Sequence, residues 1–142
     1  MGEITFSRET LQYINIAARL TKCNIIDCLD AEDRVVFVVE KGQLGLAIGN
    51  NARNIERLKK VFNKNVKFVE YDSDREKFIY NLFKPFKVMN VKLEERRDGS
   101  YVAKIEVDIR DKSKAIGKNG RNIEIIRKLA QRHHPISDVQ IV

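Results

Sequence analysis

The sequence predicts an α+β protein made of two copies of one unit, each about seventy residues long and ordered α-β-β-α-α-β. Three observations carry that prediction. Residues 46–58 read LAIGNNARNIERL and residues 114–126 read KAIGKNGRNIEII, so eight of thirteen positions are identical at an offset of 68. Helix-period and strand-period stretches follow one another in the same order in both halves. The connection Tyr71-Asp72-Ser73 is short and contains neither Gly nor Pro, which predicts a semi-rigid tandem divided into 1–72 and 73–142.

The elements follow in chain order. Ser7 can cap a helix over 8–21, in which Leu11, Ile14 and Ala18 fall at helical spacing. Two strand-like stretches come next, at about 24–29 and 34–40. A short helical stretch then leads into the loop Gly49-Asn50-Asn51-Ala52, and the helix after it carries Ile55, Leu58 and Phe62 as a buried stripe. Val66–Tyr71 closes the first copy as a strand.

In the second copy, Ser73-Asp74-Arg75-Glu76 has the capping-box pattern, and Pro85 ends the helix it opens. Strands are expected over 87–95 and 101–109. In the latter, Tyr101, Ala103, Ile105, Val107 and Ile109 alternate with Lys104, Glu106 and Asp108. Asp98-Gly99 supplies the turn between them. Ile123, Ile126 and Ala130 repeat the buried stripe after the second loop, and Val139–Val142 is the closing strand.

Composition narrows the class. The 142 residues are 43% hydrophobic and 33% charged, as in a soluble globular protein, with a net charge of +7. The longest apolar run, Val35-Val36-Phe37-Val38-Val39, is too short to span a bilayer, and the N-terminus does not read as a secretory signal. A soluble, intracellular protein without a membrane partner is expected. Residues 1–71 carry 11 basic and 9 acidic residues; residues 72–142 carry 16 and 11, so the excess leans to the second copy.

Cys23 and Cys28 read as two buried free thiols. A zinc site needs two more ligands, and His133 and His134 are adjacent to each other and remote in sequence. No Gly-Lys-Ser/Thr phosphate loop or nucleophile motif is present, and His133-His134 reads as a solvated helix end. No catalytic residue, metal or cofactor is expected.

The chemistry concentrates in the loop Ile116-Gly117-Lys118-Asn119-Gly120-Arg121. Glycines at both ends let the turn lie directly against another backbone and adopt dihedrals that side chains resist. The loop opens a helix N-terminus, where unpaired N–H groups and the helix dipole favour an anion. Lys118 and Arg121 add formal charge at the same place. That combination suits a phosphodiester backbone.

Here the chain resembles a known family. The loop Gly117-Lys118-Asn119-Gly120 between two helices looks like the RNA-clamping loop of KH domains, and the element order resembles their type II form. Two such units so closely joined resemble the C-terminal part of NusA-type transcription elongation and termination factors, in the short archaeal form. The resemblance implies tandem type II KH domains, each a three-stranded sheet packed by helices. It also implies single-stranded RNA as partner, with RNA polymerase or other transcription factors as further partners. A cytoplasmic, monomeric protein acting in termination, antitermination or elongation follows from it.

Carried onto these residues, Gly117, Lys118, Asn119 and Gly120 hold phosphates and sugars, Arg121 adds charge, and Ile116 and Ile123 line an apolar groove or belong to the core. Base edges are expected to meet backbone groups of the second strand of each unit. In the first copy Gly49, Asn50, Asn51, Ala52 and Arg53 take the same roles, but the second glycine is alanine and the lysine is asparagine. Weaker binding is expected there, with one RNA crossing both copies. The alternatives are a ribosome-associated or RNA-processing KH factor, or a protein-binding adaptor whose loops no longer touch RNA.

Overall fold

The computed structural model describes residues 4–142, which divide into two compact units, Thr5–Asp72 and Ser73–Val142. The first unit runs α1 (Arg8–Thr21), β1 (Ile25–Asp30), β2 (Arg34–Val39), α2 (Leu44–Ile48), α3 (Arg53–Phe62), β3 (Asn65–Glu70). The second runs α4 (Arg75–Phe83), β4 (Val88–Glu95), β5 (Tyr101–Val107), α5 (Lys112–Ile116), α6 (Arg121–His133), β6 (Ile136–Ile141).

Each unit holds one three-stranded sheet with the second strand in the centre, antiparallel to the first and parallel to the third. The parallel pair needs a long crossover, and the two helices around the glycine loop provide it. Even the irregularity recurs: a bulge interrupts β1 between Ile25 and Asp27, and β4 between Val88 and Asn90.

In the first unit the core lies on the helix side of the sheet. Val35, Phe37 and Val39 of β2, Val66 and Phe68 of β3, Ala17 of α1 and Leu58 of α3 are buried together. Phe37 lies 5.5 Å from Phe68 and 6.1 Å from Phe62, and Tyr13 meets Phe62 edge-on at 4.7 Å. Such ring pairs add about 0.5–1.5 kcal/mol beyond the area they bury.

The far faces of the two sheets differ. In the first, Val36 and Val38 of β2 and Val69 of β3 are buried, and Lys67 beside them is half-buried. Burial pushes the Lys67 amine on that face down to about 8, with the charge of Arg34 adding to the effect. In the second, the residues 68 positions on from Val36 and Val38 are half-buried Lys104 and exposed Glu106. Lys104 pairs with Glu94 at 3.2 Å, and Lys92 reaches the same carboxyl at 3.6 Å. Those lysines, Lys104 first, hold the Glu94 carboxyl below its usual range.

Four sequence expectations are corrected. Ser7 does cap α1, accepting from the Thr10 N–H at 3.1 Å, but the helix buries Ala17 and Thr21, with Tyr13, Ile14 and Leu20 beside them. Leu11 is 46% exposed, because that face turns away from the sheet. In α4 the cap is Asp74, which accepts from the Lys77 N–H at 3.0 Å, one residue later than the capping-box reading. A carboxylate accepts more strongly than a hydroxyl at a helix N-terminus.

Strand β5 ends at Val107. Asp108 accepts from the Arg110 N–H and turns the chain, leaving Ile109 86% exposed although it continues the alternation. His133 and His134 are buried, not solvated; their rings lie 5.6 and 5.3 Å from the Phe78 ring. The packing of α4 against α6 puts an aromatic side chain over that helix end. Cys23 and Cys28 are buried and free, as expected.

Candidate nucleic-acid interface

The second loop is built by a sequence of backbone constraints. Helix α5 ends when Gly117 takes φ 82°, ψ 167°, its N–H donating to the Ser113 carbonyl at 3.0 Å. Lys118 follows, then Asn119 at φ 57° and Gly120 at φ 70°, both left-handed. The Gly120 N–H closes the turn on the Gly117 carbonyl at 3.1 Å. Helix α6 starts at once from Gly120 with no side-chain cap, so its amide end and positive pole face the loop. Lys118, Asn119 and Arg121 are exposed around it.

Gly117 is required by space as well as by dihedral. A Cβ there would stand 2.8 Å from the Asn122 backbone N and 2.9 Å from its Cβ. Gly120 has room, with nothing nearer than 3.9 Å, so only its left-handed φ asks for glycine.

The first loop follows the same path with different residues. Gly49 takes φ 78°, ψ 169°, Asn51 φ 54° and Ala52 φ 56°, and the Ala52 N–H donates to the Gly49 carbonyl at 3.2 Å. Alanine therefore adopts the conformation glycine has in the second copy, at a cost of about 1 kcal/mol. Asn50, Asn51 and Arg53 are exposed. What has changed is charge, since asparagine stands where Lys118 does.

Asn54 and Asn122 are the structural residues that sequence reading passed over. The Asn122 side-chain amide donates to the Ala115 carbonyl at 2.8 Å and is buried, tying the end of α5 to the start of α6 across the loop. Asn54 does the corresponding work at 3.1 Å on the Leu46 carbonyl, in a more exposed setting. Their identity in both copies was the available signal.

Ile116 is half-buried, as is Ile48; Ile123 is 6% exposed and belongs to the core. The second strand of each unit is central: β2 is paired on both sides over Val35–Val39 and β5 over Tyr101–Ile105, and Glu106 and Val107 of β5 pair with β4. The unpaired strand edges belong to β1, β3, β4 and β6.

Two helices meeting at a tight glycine turn beside a three-stranded sheet, in the order α-β-β-α-α-β, define the type II KH module, and this chain carries two in tandem. The KH domain family model matches residues 16–94, and the model described as NusA-like second KH domain matches 75–140. The chain is 38% identical to the probable transcription termination protein NusA of Halobacterium salinarum, over 97% of this chain and 98% of that one. It is 29% identical to the protein of the same name from Methanocaldococcus jannaschii, over 100% of this chain and 77% of that one. The crystal structure of APE1850 superposes with a TM-score of 0.78 at 33% identity, covering 96% of this chain and 100% of that one. The chain belongs to the NusA family.

Proposed function

We propose that the protein binds single-stranded RNA during transcription and acts in termination, antitermination or elongation, as the names of its relatives suggest. Residues 1–72 form the first KH domain and 73–142 the second. Gly117, Lys118, Asn119, Gly120 and Arg121 hold the RNA backbone, with Ile116 beside them. Gly49, Asn50, Asn51, Ala52 and Arg53 make the weaker contact of the first unit. The observation that carries this reading is the second loop: two successive left-handed residues feeding an uncapped helix N-terminus, with exposed Lys118 and Arg121 around it.

The protein works by binding, without catalysis, and RNA polymerase is the protein partner that a transcription role implies. Among the described residues no helix is long and apolar enough to cross a membrane, which agrees with a cytoplasmic factor.

The test is a titration of labelled single-stranded and duplex RNA against salt, with wild type and the double variant K118D/N119D. Single strands should bind more tightly. About four phosphate contacts give a slope of log K against log salt near −3, at about −0.7 per contact. The two aspartates should abolish most of the affinity. Equal binding to both forms, or binding that ignores the aspartates, would favour the adaptor reading instead.

A further inference from the structure

One asparagine of this chain is followed by glycine: Asn119-Gly120, in the second loop. Every other asparagine precedes a residue with a side chain, including Asn51, where Ala52 takes the place of Gly120. An asparagine amide can be attacked by the backbone nitrogen of the next residue, and a side chain on that residue obstructs the attack. Asn119 is exposed, and among the described residues its side-chain amide has no hydrogen-bond partner. The amides of Asn54 and Asn122, by contrast, are tied to the Leu46 and Ala115 carbonyls. Space around Gly120 is open, since a Cβ there would meet nothing nearer than 3.9 Å.

The electrostatics of the loop favour that attack. The Gly120 nitrogen becomes a nucleophile when it gives its proton to hydroxide, and its negative charge then lies at the uncapped N-terminus of α6, beside exposed Lys118 and Arg121. The nitrogen bonds to the Asn119 Cγ, the bond from Cγ to the amide nitrogen breaks, and that nitrogen takes a proton from water and leaves as ammonia. A five-membered imide remains. Water opens it at Cγ to give aspartate, or at the Asn119 backbone carbonyl to give isoaspartate. The closed turn holds the reaction back, because Asn119 is left-handed and the Gly120 N–H is engaged by the Gly117 carbonyl at 3.1 Å. Having to break one such bond slows the step about two- to tenfold relative to the unfolded chain. Asp98-Gly99 is not a rival: the Ser100 hydroxyl and N–H both donate to its carboxyl and hold it below its usual range, and a carboxylate is a poorer electrophile than an amide.

We propose that Asn119 is a self-modification site: it deamidates through attack by the Gly120 nitrogen, and the carboxylate formed takes up the anion site of the second loop in place of an RNA phosphate. Position 119 stands one residue before the N-cap Gly120, next to the unpaired amides of α6, where a carboxylate is favoured over a neutral amide. The same positive surroundings that suit a phosphate therefore ease the reaction and hold its product. The first loop lacks the reactive pair, so the change is confined to the unit with the charged loop. The displacement rests on the RNA reading above; the deamidation does not.

The experiment incubates the full chain at mildly alkaline pH, native and in urea, as wild type and as Gly120→Ala, and then cuts it with a glutamate-specific protease. The fragment Val107–Glu124 should gain the mass of an amide-to-acid exchange, located by fragmentation at Asn119 and not at Asn122. The gain should run about two- to tenfold faster in urea. It should run several-fold slower in Gly120→Ala, which takes the dihedrals that Ala52 already adopts. Asn119 unchanged in urea, or changing no faster than Asn51, overturns the site. The consequence is read by titrating one single-stranded RNA across a salt series. N119D should bind about fivefold more weakly at about 0.1 M salt, with a slope flatter by about 0.7, as for the loss of one phosphate contact. Aged wild type should lose affinity in step with its modified fraction, while aged N119Q, which would have to close a six-membered ring, should keep that of fresh N119Q. N119D binding as fresh wild type does overturns the displacement. A wild type without salt-dependent RNA affinity removes the RNA reading and the displacement with it, while the mass gain at Asn119 stands on its own.

Discussion

The two glycine loops of this chain share a backbone path and differ in what they present. Both begin with a glycine near φ 80°, both pass through two left-handed residues, and both close with a bond to the first glycine's carbonyl. Yet Ala52 stands where Gly120 does, Asn50 where Lys118 does, and Leu46 where Lys114 does. The path is thus set by the leading glycine and by the asparagine that bridges the flanking helices, and it survives alanine at the second glycine position. What the first copy has lost is the formal charge a phosphate needs.

That comparison can be broken most forcefully at the leading glycines. Gly117→Ala meets backbone at 2.8 Å in a region of φ and ψ that is nearly closed to other residues, and should cost about 3 kcal/mol in urea denaturation. Gly49→Ala has the same dihedral problem but meets the Asn54 side-chain amide at 3.0 Å, which can move, so about 2 kcal/mol is expected. Equal costs would show that the loops are not held differently.

A smaller effect of opposite sign is expected from Ala52→Gly. Relieving a left-handed alanine should stabilise the chain by about 1 kcal/mol in the same assay. RNA affinity should stay put, because Asn50 still supplies no charge. A large gain in affinity from this change alone would mean that loop flexibility, and not charge, limits the first copy.

A pH-dependent effect concerns the far faces of the two sheets. Lys67 has a folded pKa of about 8 against a usual 10.5, because burial disfavours its charged form. Between those two values the unfolded chain binds more protons than the folded one, so stability should rise as pH goes from about 8 toward 10.5. In Lys67→Met that rise should disappear when melting temperatures are followed over the same range. A variant that keeps the wild-type slope would place its origin in another group.

Much of the fold was legible because it is repeated and local. The thirteen-residue repeat fixed the offset, and the offset fixed the element order, since any helix or strand assignment had to hold twice. The glycine loops were legible for the same reason. Alternation, by contrast, misled at Ile109, because a period of two continues past the point where Asp108 turns the chain. The α1 stripe holds at Ile14, which packs against the core, and fails at Leu11, which is exposed; the helix period allows either residue to face inward, and only the sheet chooses between them.

The site was legible in its loop and not in its supports. Asn54 and Asn122 appeared in the repeat as identical residues, but an asparagine after an arginine has no signature of its own. Its part emerges when its amide reaches a carbonyl seven or eight residues back, across a turn.

By itself, the sequence determined the duplication, the order of elements in each copy, the place of the glycine loops and the loss of charge from the first. Those depend on local periodicity, on dihedral preference and on residue identity. The tertiary structure decided which strand is central, which face of α1 is inside, that His133 and His134 lie against Phe78, and that Val38 is buried where Glu106, 68 residues on, is exposed. Burial is a property of what surrounds a residue, and its neighbours in space come from distant parts of the chain, so one residue's place in a pattern does not fix its exposure.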